Sequence, residues 1–165
     1  MNLHEKDSFS RFGKHFQENL IQLMLEERGF CDQMQEVLDI NFLELKHLQV
    51  LTQKIFEYRD KYGVHPSYKT IETIIKRELD DETEVTKKVI RDYFARVSAG
   101  LSIVDDSDYV KDIALDFCKK QKLKEAIIKS VKLLQKSSFD DIAGVINEAL
   151  KLGVSTDYGY DYIKD

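Results

Sequence analysis

The stretch from Asp106 to Leu152, DSDYVKDIALDFCKKQKLKEAIIKSVKLLQKSSFDDIAGVINEALKL, decides the fold. It reads as a long helix, a tight polar turn and a shorter helix coming back. Asp106, Ser107 and Asp108 offer an N-cap, since each side chain can accept from an unpaired amide of the first turn. The first arm carries Val110, Ile113, Ala114 and Phe117, then Leu123, Ile127, Val131 and Leu134. Ser137-Ser138-Phe139-Asp140-Asp141 breaks it, with Ser138 and Asp141 at capping-box spacing for the return helix. Phe139, Ile142, Ile146, Ala149 and Leu150 recur on the second arm at helical spacing, and Gly153 is expected to stop it. Phe117 and Leu123 do not share a helix face, so the first arm divides into a part docked on its own bundle and a part that projects. Two helices alone cannot bury two stripes of this length. Either the rest of the chain folds back over them, or two copies pack hairpin to hairpin as a four-helix unit.

The preceding residues read as a small helical bundle, so the fold class expected is all-α, a bundle followed by a protruding antiparallel hairpin. The expected divisions are a flexible tail over 1–8, the bundle over 9–104, the hairpin over 105–152 and the start of a linker over 153–165. Within the bundle, Phe9, Phe12, Phe16, Leu20, Leu23 and Met24 line one side of a first helix that Gly29 should end. A short helix follows around Cys31–Leu38, then an irregular Asp39-Ile40-Asn41-Phe42. Leu45–Tyr62 is strongly helical, with Leu48, Leu51, Ile55 and Tyr58 in phase and Gly63 as its stop. The loop Tyr62-Gly63-Val64-His65-Pro66-Ser67 precedes a short amphipathic segment carrying Ile71, Ile74, Ile75 and Leu79. Asp80 to Glu84 gives the next helix an acidic first turn that suits the macrodipole. Val85, Val89, Ile90, Tyr93, Phe94 and Val97 form its apolar side, and Gly100 closes it. No period-two segment is strong enough to predict a strand.

Composition narrows the function classes. With one proline and seven glycines, long stretches are free of helix breakers. No apolar run approaches the roughly 20 residues needed to cross a bilayer, and the first residues lack the apolar core of a signal peptide. Cys31 and Cys118 are isolated and predict buried free thiols of a cytoplasmic protein. No phosphate-binding glycine loop, dinucleotide fingerprint or nucleophile elbow is present. His4, His15, His47 and His65 show no metal-ligand spacing and read as surface or half-buried histidines. Asp157, Asp161 and Asp165 lack the glycine and final glutamate of a calcium loop. No catalytic residue, metal or cofactor is therefore expected in this chain.

Lysines supply the other candidate surface. Lys119-Lys120-Gln121-Lys122-Leu123-Lys124 is a basic run, and Lys122, Lys129, Lys132 and Lys136 share a helix side away from Leu123, Ile127, Val131 and Leu134. Such a row can follow a phosphate backbone. It equally suits a solvated face whose lysine stems cover the edge of an apolar stripe. Arginines and stacking aromatics are missing from it, and the net charge of −5 does not favour nucleic acid. A small helical DNA-binding or regulatory protein using residues 119–136 is the alternative reading.

In order and spacing the chain resembles the N-terminal domain of replicative DNA helicases of the DnaB type, especially their phage branch. The resemblance rests on Asn19-Leu20-Ile21-Gln22-Leu23-Met24-Leu25, Asn41-Phe42, Leu51 to Tyr58, the Tyr62–Ser67 loop, the hairpin 106–152 and the closing Gly159 to Asp165. It implies a non-catalytic assembly domain. Hairpins would pair between subunits to give a homodimer, and a ring hexamer in the full-length parent. The collar would offer a docking surface for primase or a helicase loader. DNA would be engaged only through the parent, with ATP and Mg²⁺ confined to a motor domain expected beyond Asp165. The location implied is the cytoplasm of a bacterium or phage-infected host, with no membrane partner. The interface expected is Ile113, Phe117, Leu123, Ile127, Val131, Leu134, Phe139, Ile142, Ile146 and Leu150.

Overall fold

The computed structural model describes residues 7–136 and 139–164. Among them are α-helices and two short 3-10 helices, and no strand. The first described element is the 3-10 turn Phe9–Phe12, capped by Ser8, whose Oγ accepts from the Ser10 amide. Gly13, at φ +89°, lets the chain turn into α1 (Lys14–Glu26). Next come α2 (Arg28–Val37), the 3-10 turn Ile40–Phe42 and α3 (Lys46–Tyr62). After α4 (Tyr68–Arg77) and α5 (Glu84–Ser98) follow the two long helices, α6 (Ser107–Gln135) and α7 (Phe139–Lys164).

The bundle core is built by these helices' apolar stripes and by the first half of α6. Leu20, Ile21 and Met24 of α1 meet Met34 of α2, Leu48 and Leu51 of α3, Ile71 of α4 and Ile90 of α5. Phe117 of α6 joins them and closes an aromatic cluster, 4.8 Å from Phe9 and 5.3 Å from Phe42. Burying a phenylalanine of this size stabilises by roughly 1.5–3 kcal/mol. Two buried glutamines tie loops to α1. Gln17 accepts from the Glu44 amide at 2.8 Å, and Gln22 donates to the Ser102 carbonyl at 2.7 Å.

Several expectations need correction. Asp7 and Ser8 are not part of a loose tail, since Gln121 donates to Asp7 and Ser8 caps the first turn. Gly29 does not end the first helix. The chain breaks at extended Glu27, and Gly29 lies in the first turn of α2, so Phe30, Cys31 and Met34 also face the core. Val85 and Val89 are exposed, because α5 buries the narrower stripe Ile90, Tyr93, Phe94 and Val97. Asp106 holds the N-cap position of α6 but makes no side-chain capping bond. Residues 105–152 are not a packing unit apart from the bundle, since α6 packs on α1 and α2 through Val110, Ala114, Phe117 and Cys118. Gly153 does not stop α7, which runs as helix to Lys164 where a linker was expected. The capping pair of Ser138 with Asp141 lies outside the described residues.

Gly63 and Gly100 do close their helices, each at φ +70°. Cys31 and Cys118 are free and buried, as expected. Among the described residues no helix is long and apolar enough to cross a membrane, and no group of His, Cys, Asp or Glu could hold a metal ion.

Candidate functional site: the two faces of the hairpin

α6 changes role along its length. Up to Ala126 it still buries residues, including Gln121 and Lys124. Beyond Ala126, no described side chain of α6 or α7 is fully buried. The two helices run antiparallel and pack on each other, with Lys136 near Asp140 at the tip and Lys122 near Leu152 toward the root. Each arm shields only part of the other.

What remains uncovered is apolar on one side. Leu123, Val131 and Leu134 of α6 are 38%, 49% and 55% exposed, and Phe139 and Leu150 of α7 are 70% and 48% exposed. Ile127, Ile142 and Ile146 are half-buried. Helical phase places Leu123, Ile127, Val131 and Leu134 within one stripe of α6, and Phe139, Ile142, Ile146 and Leu150 within one stripe of α7. Eight of the ten expected interface residues thus lie on one side of the paired arms, seven of them beyond Ala126. Phe117 does not: at 2% exposure it belongs to the bundle core and is unavailable to a partner. Ile113 is half-buried on the docked part of α6, away from this stripe.

The other side of the hairpin is charged. Lys129, Lys132 and Lys136 line an open groove of about 660 Å³ whose far wall carries Asp140, Asp141 and Glu148. Lys122 lies nearer the root and stands 4.0 Å from Glu125 on the same helix. Reading the sequence by itself singled out the lysines and missed the acids. Asp140 and Glu148 are two helical turns apart, so they share a face of α7, but only the pairing of the arms puts that face opposite the lysines.

A second group missed in sequence lies where α1, α2, α3 and the loop after α3 meet. Arg59 of α3 donates to Gln35 at 2.7 Å and pairs with Asp32 of α2. It also donates to Nδ1 of His65 at 2.6 Å, leaving His65 Nε2–H to donate to the Leu25 carbonyl at 2.9 Å. These bonds hold the 63–67 loop against α1 and α2 and leave their polar groups satisfied. His47 is half-buried against the Tyr93 ring. Burial lowers its pKa, an effect opposed by Glu18 and reinforced by Arg96. The Tyr93 hydroxyl donates to the Glu18 carbonyl at 2.5 Å, and burial raises its pKa. Burial likewise pushes the Cys31 thiol up to about 11 and the Cys118 thiol up to about 12, which suits structural rather than reactive cysteines.

No protein-family model, curated protein or solved structure matches this chain.

Proposed function

We propose that this chain is an assembly domain that pairs with a second copy through the apolar face of its hairpin, in the manner of the N-terminal domain of a DnaB-type replicative helicase. The observation that carries the reading is the uncovered stripe on a projecting element, with Phe139 70% and Leu134 55% exposed. Large apolar side chains grouped on one face mark association surfaces more often than scattered ones do. In this reading the chain performs no catalysis. ATP and Mg²⁺ serve a motor domain of a longer cytoplasmic parent, pairing contributes to its ring, and the collar receives a primase or loader. The alternative, DNA binding by the lysine row, is weakened by the groove's far wall. A phosphate backbone approaching Lys129, Lys132 and Lys136 also meets Asp140 and Glu148.

Sedimentation of wild type and of Leu134→Asp tests the proposal. Leu134 is exposed, so a carboxylate there costs the isolated fold little, yet it is strongly unfavourable in a dry seam. Wild type is expected to sediment as a dimer or larger, and the variant as a monomer with an unchanged circular dichroism spectrum. Ile127→Asp should act in the same direction. Identical sedimentation of wild type and folded Leu134→Asp would remove the apolar face of the hairpin from the interface. DNA binding that weakens steeply with salt would favour the alternative.

A further inference from the structure

The charged face of the hairpin is not absorbed by apolar pairing, because it lies on the other side of the two arms. Its composition is specific. One wall is cationic, with Lys129 and Lys136 seven residues apart and Lys132 between them, and the other is anionic, with Asp140 and Glu148. All five side chains are exposed. Among the described residues none of the five makes an ion pair within 4.0 Å, although they line the same groove. Gly144 on the anionic arm contributes no side chain, and a Cβ there would meet nothing within 4 Å. Opposite charges are thus held across an open groove without closing it.

The pattern selects its occupant. Nucleic acid or an acidic peptide is attracted by one wall and repelled by the other, and a basic peptide meets the same conflict. A second hairpin carries both rows at the same spacing. Two orientations bring two such faces together. A two-fold axis across the hairpins would set lysine row on lysine row and acid on acid. A two-fold axis along the hairpins, tip beside tip, sets each lysine row over the other copy's acidic row, with Lys136 near Asp140 and Lys129 near Glu148 at matching heights.

We propose that this charged face is a second contact between copies of the chain, related by a two-fold axis along the hairpin, with each α6 lysine row over the partner copy's α7 acidic row. The contact is separate from the apolar pairing. Exposed ion pairs are individually weak, so it acts chiefly where apolar pairing has already raised the local concentration of hairpins. Together the two faces join copies alternately and extend the assembly beyond a dimer.

The test compares wild type with Lys129→Glu/Lys136→Glu and with Asp140→Lys/Glu148→Lys in sedimentation velocity. Salt is raised from about 50 mM to about 500 mM, which shortens the screening length roughly threefold. Wild type is expected to form a larger species at low salt that dissociates at high salt. Each double variant should lose that species, with association weakened at least about tenfold. An equimolar mixture of the two variants should regain it, since each supplies the charge the other lacks. Regain on mixing also establishes that both variants fold. Lys129→Gln/Lys136→Gln, a milder change, should also lose the species, while Lys88→Glu/Arg91→Glu on α5 should keep it. Wild type of the same mass at both salt concentrations overturns the proposal. So does a salt-dependent species that survives in both variants, or a mixture that behaves as the sum of its parts. Leu134→Asp reads the apolar contact separately, so failure of one contact is distinguishable from failure of the other.

Discussion

At the scale of single residues, position along α6 decides what an apolar side chain does. Phe117 and Leu123 look alike in the sequence, yet Phe117 closes an aromatic cluster while Leu123 is 38% exposed. The six-residue offset between them shows that the helix changes face, but not on which side of the change Phe117 falls. Its partners Phe9 and Phe42 come from turns far away in the chain, and no local pattern announces them. His47 offers a test at the same scale. Its pKa is lowered from the ordinary 6.5, first by burial, with Glu18 opposing and Arg96 reinforcing. A histidine that resists charging in the folded state binds fewer protons there than in the unfolded chain. Stability contributed by this group is therefore complete above 6.5 and is lost as pH falls from 6.5 toward the lower folded value. Melting temperatures across this range should fall on acidification in wild type and fall less in His47→Gln. Parallel curves for the two proteins would place the pH dependence elsewhere.

At the scale of elements, helices were legible and several of their ends were not. Periodicity located α2, α3, α4, α5 and both arms of the hairpin, because each buries one stripe against a partner. A glycine in the sequence does not by itself end a helix, because its backbone angle decides. Gly63 and Gly100 adopt φ +70° and end their helices, while Gly29 and Gly153 sit within helices. The residue type permits either conformation, and tertiary packing chooses. This difference is measurable. A Cβ added at Gly153 meets nothing within 4 Å, and glycine inside a helix costs about 0.5–1 kcal/mol relative to alanine. Gly153→Ala should therefore raise helicity and stabilise the hairpin by about that amount, read by circular dichroism and thermal melting. Position 153 in an unstructured linker would give no gain in helicity.

At the scale of the whole molecule, one helix of 29 residues, about 43 Å long, belongs to two environments. Its first half shares the bundle core, and its last turns, beyond Ala126, carry no fully buried side chain and run alongside α7. The apolar stripe of the candidate site was readable because both arms keep helical phase. The acidic wall was not, because it becomes a wall only when α7 lies beside α6. Uneven burial implies uneven local stability, since segments with few buried contacts open at lower free-energy cost than the core. In dilute solution the amides of 127–152 should exchange with solvent faster than those of α1, α3 and the first half of α6. Pairing through either hairpin face would cover just those residues. A contact that forms only in the folded assembly adds protection as concentration rises, by mass action. Hydrogen exchange read by mass spectrometry over roughly a hundredfold range of protein concentration should then show protection growing across 127–152 while the bundle's stays constant. The Leu134→Asp variant should lose most of that growth, and the charge-swapped pairs the part that disappears in high salt. Protection of 127–152 that is already as high as the bundle's at the lowest concentration would mean that the hairpin is held by the chain's own packing, and the case for a partner copy would fall.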